Sequence, residues 1–316
     1  MFKVPVLLIL YNRVEETHDV FQVLRTVQPT QLYVAGDAAK PDSMLDRMRT
    51  YQARAVIQPE WPCQVHKLWQ DNHLGKSQMI ATAIKWFFEH EEEGIILFDD
   101  TVPGYDFFPY CEQLLDKYRN DKKIYSIGGF YWRHRSRKRY KKRMKKGESS
   151  YFFSAYASTW GFATWKNRWT DFSLSMDQYT KEGFEKMIDP YMKKNKQKMY
   201  WTNRFNSLKK YKASYWAYQY NFHIWAHQGL CITPYLNLVT NMGFRKQEER
   251  KIRHLKRNAY PIMPLVHPTE IQQDYGEDRY MFRHIFNGAY IIFNGAYITL
   301  FKEWLNELIP SNKKEE

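Results

Sequence analysis

The chain has 316 residues, 17% of them aromatic, and a formal net charge of +14. That length suits one large domain with embellishments or two small ones, and the charge favours an anionic partner: a nucleotide, a nucleic acid, an acidic lipid or an acidic glycan. The three cysteines, Cys63, Cys111 and Cys231, are odd in number and far apart, which excludes a disulfide framework and a zinc cluster and fits a reducing cytosol.

The first element is "VPVLLILYN", Val4 to Asn12. It lacks a small-residue cleavage site and is too short to span a bilayer, so it reads as a strand covered on both faces. A helix is expected over 14–27, then a strand "QLYVAGD" ending at Asp37, a polar helix over 41–57 and a third strand over 64–69. "NHLGKSQMIATAIKWFFEHEEEG" is a loop followed by a helix, with Ile80, Ile84, Phe87 and Phe88 on one face. "GIILF" is the fourth strand, "YDFFPYCEQLLDKYRND" a helix and "IYSIGGF" the fifth strand. Strands alternating with helices imply βαβ units, a mostly parallel sheet, and ligands at the carboxyl ends of the strands. Asn12, Asp37 and the pair Asp99–Asp100 fall at those ends.

From Arg133 to Lys146, ten of fourteen residues are Lys or Arg, and their mutual repulsion predicts a mobile surface loop. The aromatic run "YFFSAYASTWGFATWKNRW" follows, then helical, Lys-rich segments over 181–212. "YWAYQYNFHIWAHQG" has near-helical apolar spacing with Gly229 as its expected C-cap, and "LCITPYLNLV" is a short strand. Residues 243–275 read as irregular. A long aromatic helix is expected over 276–308; it contains "IFNGAYI" twice in tandem, a duplication within a packing helix. His223 and His227 have the H-x-x-x-H spacing but lack the glutamate of H-E-x-x-H, and they read as packing residues.

Two adjacent carboxylates at a strand end repel unless a cation offsets them. Mg²⁺ or Mn²⁺, held by one or two carboxylates and substrate phosphates, suits such a pair. No P-loop and no G-x-G-x-x-G follows the first strand, and no nucleophile elbow is present. The familiar nucleic-acid motifs are also missing, which disfavours nucleic acid as the partner.

The motifs "PVLLILYNR", "GD" at Gly36–Asp37, "NHLGKSQMIA", "GIILFDD", "FFPYCEQLL", "WGFATWKNRW" and "YWAYQYNFHIWAHQGLCITPYLNLV" occur in that order between residues 4 and 240. In their order and spacing the sequence resembles the GT-A fold nucleotide-diphospho-sugar transferases, close to glycosyltransferase family 2, and in particular a bacterial group. The resemblance implies an α/β, Rossmann-like, mostly parallel sheet flanked by helices, with a C-terminal helical, aromatic-rich extension. It implies a nucleotide-sugar core over 1–165 and an acceptor-side region over 166–316, within one continuous catalytic-type domain. Asn12, Arg13, Asp37, Asn72, Lys76 and Asp99 would border the donor. Asp100, with Asp99 beside it and His254 as a third position, would hold Mn²⁺ or Mg²⁺. Trp160 and Trp165 would lie beside the sugars.

The implied reaction is inverting transfer from a nucleotide-diphospho-sugar to a glycan or lipid-linked acceptor in polysaccharide biosynthesis. The implied place is the cytoplasm or the inner membrane face, with the basic segment from Arg133 to Lys146 against anionic lipid. Two positions depart from the pattern. Phe98 stands where relatives carry the glutamate of "EDD", and Ala217 stands at the aspartate of "WDYQW", the family's general-base position. Asp171 and Asp177 are the other carboxylates to consider as a base. The departures leave a second reading, a catalytically impaired scaffold or sugar-nucleotide-binding subunit on the same fold.

Overall fold

The computed structural model describes residues 1–131, 133, 137–212, 214–242 and 261–286. The alternation read from the sequence builds β1 (Val6–Leu10), α1 (Val14–Val27), β2 (Gln31–Gly36), α2 (Met44–Ala55), β3 (Gln64–Trp69), α3 (Lys76–His90) and β4 (Glu93–Phe98). A short β5 (Thr101–Pro103), α4 (Phe107–Tyr118), β6 (Ile124–Gly128) and α5 (Arg137–Lys145) follow. The later elements are β7 (Tyr151–Ser154), β8 (Phe162–Trp165), α6 (Lys181–Ile188), α7 (Asn195–Lys210), α8 (Trp216–Ala226), β9 (Leu230–Pro234), β10 (Val239–Asn241) and α9 (Tyr275–Met281).

Eight strands form one sheet in the order β3-β2-β1-β4-β8-β6-β9-β7. β3, β2, β1 and β4 are parallel, β8 runs against both β4 and β6, β6 and β9 are parallel, and β7 runs against β9. The carboxyl ends of β1, β2, β3, β4, β6 and β9 therefore share one edge. This is a Rossmann-like α/β fold, as the sequence predicts. β9 lies between β6 and β7, so the sheet itself crosses the boundary expected near residue 165.

Alternation along each strand sorts the core into two layers. Val6, Leu8, Ile95 and Leu97 meet Phe21, Leu24, Phe107 and Leu114 on the α1/α4 face. Leu7, Ile9 and Ile96 meet Met79, Ile80, Ile84 and Phe87 on the α3/α8 face. Each such side chain contributes about 1.5–3 kcal/mol of burial, which fixes the register and with it the strand ends that carry the site. The C-terminal half adds an aromatic helical layer, in which Phe184 stacks on Phe205 at 4.3 Å.

Four local expectations are corrected, and one stretch left unassigned gains two strands. The basic segment is helical over Arg137–Lys145 rather than a loop. Tyr140 is buried there and donates its hydroxyl to Ser150 Oγ and to the carbonyl of Ile262, while Arg143 lies over the Tyr235 ring, so one inward face is anchored and Lys138, Arg139, Lys141, Lys142 and Lys145 stay exposed. "LCITPYLNLV" holds two strands, because β10 leaves the main sheet to pair with β5. The aromatic run holds β7 and β8, which its composition alone did not mark as strands.

The turn after α8 also differs. The left-handed residue is Gln228 at φ 55°, and Gly229 donates its N–H to Ile224 O. Gly229 is needed for space instead: a Cβ there would come within 2.3 Å of the Tyr125 ring. Finally, α9 ends at Met281 and passes into a π turn over Phe282–Phe286. The rest of the expected long helix, and the duplication beyond Phe286, lie outside the described residues.

Candidate active site

β1 leads into Tyr11-Asn12-Arg13 and its neighbour β4 into Asp99-Asp100, so parallel pairing brings the two segments side by side. Asp99 Oδ2 accepts the Tyr11 N–H at 2.9 Å. The Arg13 guanidinium donates to Asp100 Oδ2, and its Nη1 lies 4.0 Å from Asp99 Oδ1. The cation that offsets the carboxylate pair is thus carried by the chain. It does not neutralise the pair. Burial first, then the charge of Asp100, push Asp99 up to about 7, against the pull of Arg13, the Tyr11 N–H and Lys76. Burial also works against Arg13, but Asp100 and Asp99 outweigh it and hold the guanidinium above its ordinary value.

Asp46, on the inward face of α2, holds the β1 end from behind. It accepts from Tyr11 Oη, Asn12 Nδ2 and the Lys40 N–H. Burial opposes its charge, yet the hydrogen bonds from Tyr11, Lys40 and Asn12 keep its carboxyl below the usual range. Sequence reading missed Asp46. The available signal was "SMLD": Ser43 caps α2 by accepting the Asp46 N–H at 3.2 Å, and S-x-x-D before a helix is a start signature.

Asp37 ends β2, as expected, but it faces its own chain. Oδ1 accepts from the N–H groups of Ala38 and Leu74, and Oδ2 from Gly75 N–H at 2.8 Å and lies 3.1 Å from His73 Nδ1. Asp37 thus ties down the loop before α3, in which Gly75 takes φ 78°. Asn72 is exposed on that loop and Lys76 opens α3, within electrostatic reach of Asp99.

Trp160 leads into β8 at the same edge and packs on Phe130 at 4.4 Å. Trp165 does not join it. Five residues on, at the other end of β8, Trp165 is buried opposite Glu93, with the Arg168 guanidinium over its ring. A strand carries its two ends to opposite edges of the sheet, so only Trp160 borders the mouth. Asp171 is exposed past that far end, and Asp177 is exposed and accepts from Ser175 Oγ. His254 lies outside the described residues.

Phe98 and Ala217, 119 positions apart, border one core layer: the Phe98 ring lies 5.7 Å from Trp216, and both Phe98 and Ala217 pack on the α3/α8 layer. His223 is buried, with Nε2 3.0 Å from Arg168 O, and burial holds it down to about 4; His227 Nδ1 lies 2.8 Å from His223 O.

Among the described residues no cluster of three or more His, Cys, Asp or Glu side chains is arranged to hold a metal ion. Asp99 and Asp100 nevertheless fit a divalent cation. They are adjacent hard oxygen ligands at one strand end, the donor type that such a cation takes.

No protein-family model matches the chain. No curated protein matches it either. Among solved structures it is similar to the mannosyltransferase PcManGT from Pyrobaculum calidifontis, in complex with GDP-Man and Mn²⁺. That likeness has a TM-score of 0.36 at 10% identity over 72% of this chain and 70% of that one. It is also similar to mouse xyloside xylosyltransferase 1, with a TM-score of 0.33 at 9% identity over 70% and 81% of the two chains. A third likeness, to the bifunctional glycosyltransferase WbbM, has a TM-score of 0.30 at 13% identity over 72% of this chain and 38% of that one.

Proposed function

We propose that the chain is a GT-A type glycosyltransferase that moves a sugar from a nucleotide-diphospho-sugar to a glycan or lipid-linked acceptor, with inversion. The observation that carries this reading is the cluster of Asp99, Asp100 and Arg13 at the carboxyl edge of a parallel sheet, where ligands of such sheets bind. A guanidinium has five N–H donors. Arg13 can keep Asp100 and still offer N–H groups to a diphosphate. Asp99 and Asp100 would hold Mn²⁺ or Mg²⁺, which offsets charge on the departing diphosphate when bound. Asp37 acts through the loop it orders, which presents Asn72 and Lys76 to the donor. Trp160 offers an aromatic face to a sugar ring. In the reaction the acceptor hydroxyl oxygen bonds to the anomeric carbon, the bond from that carbon to the diphosphate oxygen breaks, and the hydroxyl proton passes to a base.

The test is thermal shift against a panel of nucleoside diphosphate sugars, each with and without Mn²⁺, followed by turnover of any donor that binds. A rise in Tm with one donor class, lost in Asp100→Ala, supports the reading. A full panel without binding or turnover refutes it.

The packing of Phe98 and Ala217 on one core layer, with Phe98 beside Trp216, favours a second reading, a sugar-nucleotide-binding subunit with impaired turnover. An alanine takes no proton, and loss of a general base costs about 10²–10⁴-fold. Ala217→Asp with Phe98→Glu discriminates. Turnover within about tenfold of the parent keeps the transferase reading, and a gain in the general-base range makes the parent the impaired form.

A further inference from the structure

Nine large hydrophobic side chains stand exposed among the described residues, and four of them lie on the twelve residues of α2. Met44 is 76% exposed, Leu45 53%, Met48 50% and Tyr51 74%. At about 100° per residue, these four and the exposed Ala55 span an arc of about 120°, which Gln52 shares. Arg47 and Arg49, both exposed, stand about 40° outside its two borders. The only acid within the helix, Asp46, is buried on the opposite face; Asp42 is exposed in the turn that precedes the helix.

The inward face is firmly held. Asp46 takes Tyr11 and Asn12, and Arg54 donates to Asp37 O at 2.9 Å while lying over the Trp69 ring. The exposed stripe is therefore not a helix waiting to turn over. An apolar stripe flanked by arginines, with no acid on the same face, matches the interface of an anionic bilayer: apolar side chains enter the acyl boundary while arginines meet lipid phosphates.

We infer that α2 is a membrane-docking helix, seating its Met44-Leu45-Met48-Tyr51 face in an anionic lipid surface. Its other face holds the β1 end, so docking sets the mouth of the site beside the bilayer. That consequence, which favours a lipid-linked acceptor, rests on the transferase reading; the docking itself does not.

The experiment is co-sedimentation of the full chain, without nucleotide, with vesicles of equimolar phosphatidylcholine and phosphatidylglycerol or of phosphatidylcholine alone. Binding to the anionic vesicles is expected. It should fall at least about tenfold in Leu45→Glu/Met48→Glu and about fivefold for each of Arg47→Gln and Arg49→Gln. Melting curves check folding, and Met44→Gln/Met48→Gln supplies a milder second variant that keeps helix propensity. Undiminished binding in both apolar variants, or no vesicle binding by the full chain, overturns the inference. So does a wild-type dimer that the same variants convert to monomer, since the face would then belong to a second copy. Binding lost only when Lys138, Lys141 and Lys142 of α5 are reversed assigns it to the basic helix instead and also overturns it. Because no nucleotide is present, failure here leaves the donor-site reading standing, and failure of donor binding leaves this one standing.

Discussion

Asp99 and Asp278 are both buried and both pushed up to about 7, in two different kinds of surroundings. Asp278, on α9, meets neutral donors: Ser154 Oγ, the Ala155 N–H at 2.9 Å and Gln273 Nε2 at 2.7 Å. It pins α9 to the edge strand β7, and burial alone accounts for most of its shift. Asp99 sits at the ligand edge beside a like charge, with Arg13 opposite and Lys76 in reach. A displaced pKa therefore does not mark a functional carboxylate. What sets Asp99 apart is Asp100 next to it and the Arg13 guanidinium opposite, whose balance a substrate phosphate or metal can change; the like charge that Asp278 feels, from Asp274, ranks behind burial and its hydrogen bonds.

The sharpest way to break this contrast is to remove one carboxylate from each place. Asp100→Ala should lower sugar transfer by about 10²–10³-fold, measured as initial rate per folded molecule. Asp278→Ala should leave that rate within a few-fold and lower Tm. Equal rate losses would put both aspartates in one functional class.

Arg13→Ala comes next. It leaves two carboxylates facing each other, and a broken buried pair costs about 3–5 kcal/mol. Arg13 is 40% exposed at its side chain, so solvent screening reduces the expected loss to about 1–2 kcal/mol in denaturant melts. Adding Asp100→Ala should recover part of that loss, and strict additivity would show that the pair is not coupled.

The pH dependence separates buried groups of opposite sign. Between about 4, where an ordinary carboxyl titrates, and about 7, native Asp278 keeps a proton that the unfolded chain has released, so its contribution to stability falls as pH rises through that window. His223 is held down to about 4 against an ordinary 6.5; its contribution is full above 6.5 and is lost as pH falls toward 4. The two slopes oppose each other. Measured against wild type, the change in Tm caused by Asp278→Asn should be more favourable at pH 8 than at pH 5, which steepens the acid-side decline that His223 causes. A Tm profile parallel to wild type would contradict the Asp278 assignment.

The smallest expected difference lies between two tryptophans. Trp160→Ala should weaken donor or acceptor affinity, whereas Trp165→Phe should leave both unchanged and alter only Tm.

Strands covered on both faces were legible because continuous apolar runs in a βαβ alternation leave few alternatives, and the strand-end acids followed from the same rule. Asp46 was less legible, since its role depends on a helix returning to the end of β1. Trp165 was misplaced because a motif read as a string puts Trp160 and Trp165 together, while an extended strand holds them apart. The basic helix was hidden by its charge count; only Tyr140, reaching Ser150 and Ile262, shows what anchors it. Phe98 and Ala217 were readable as departures, but their place on one core layer required the packed α8.

The reversed strand β8 has a consequence for how the molecule is made. The strands β3, β2, β1 and β4 are all complete by residue 98, and they form one contiguous half of the sheet. During synthesis that half can assemble while Phe162–Trp165 is still unmade, and until β8 arrives Glu93–Ile96 is an open edge with unpaired backbone groups. The nascent chain is thus most prone to pairing with another copy of itself in the interval between residues 98 and 165, and ribosome-bound fragments ending in that interval should need chaperone cover that longer ones do not.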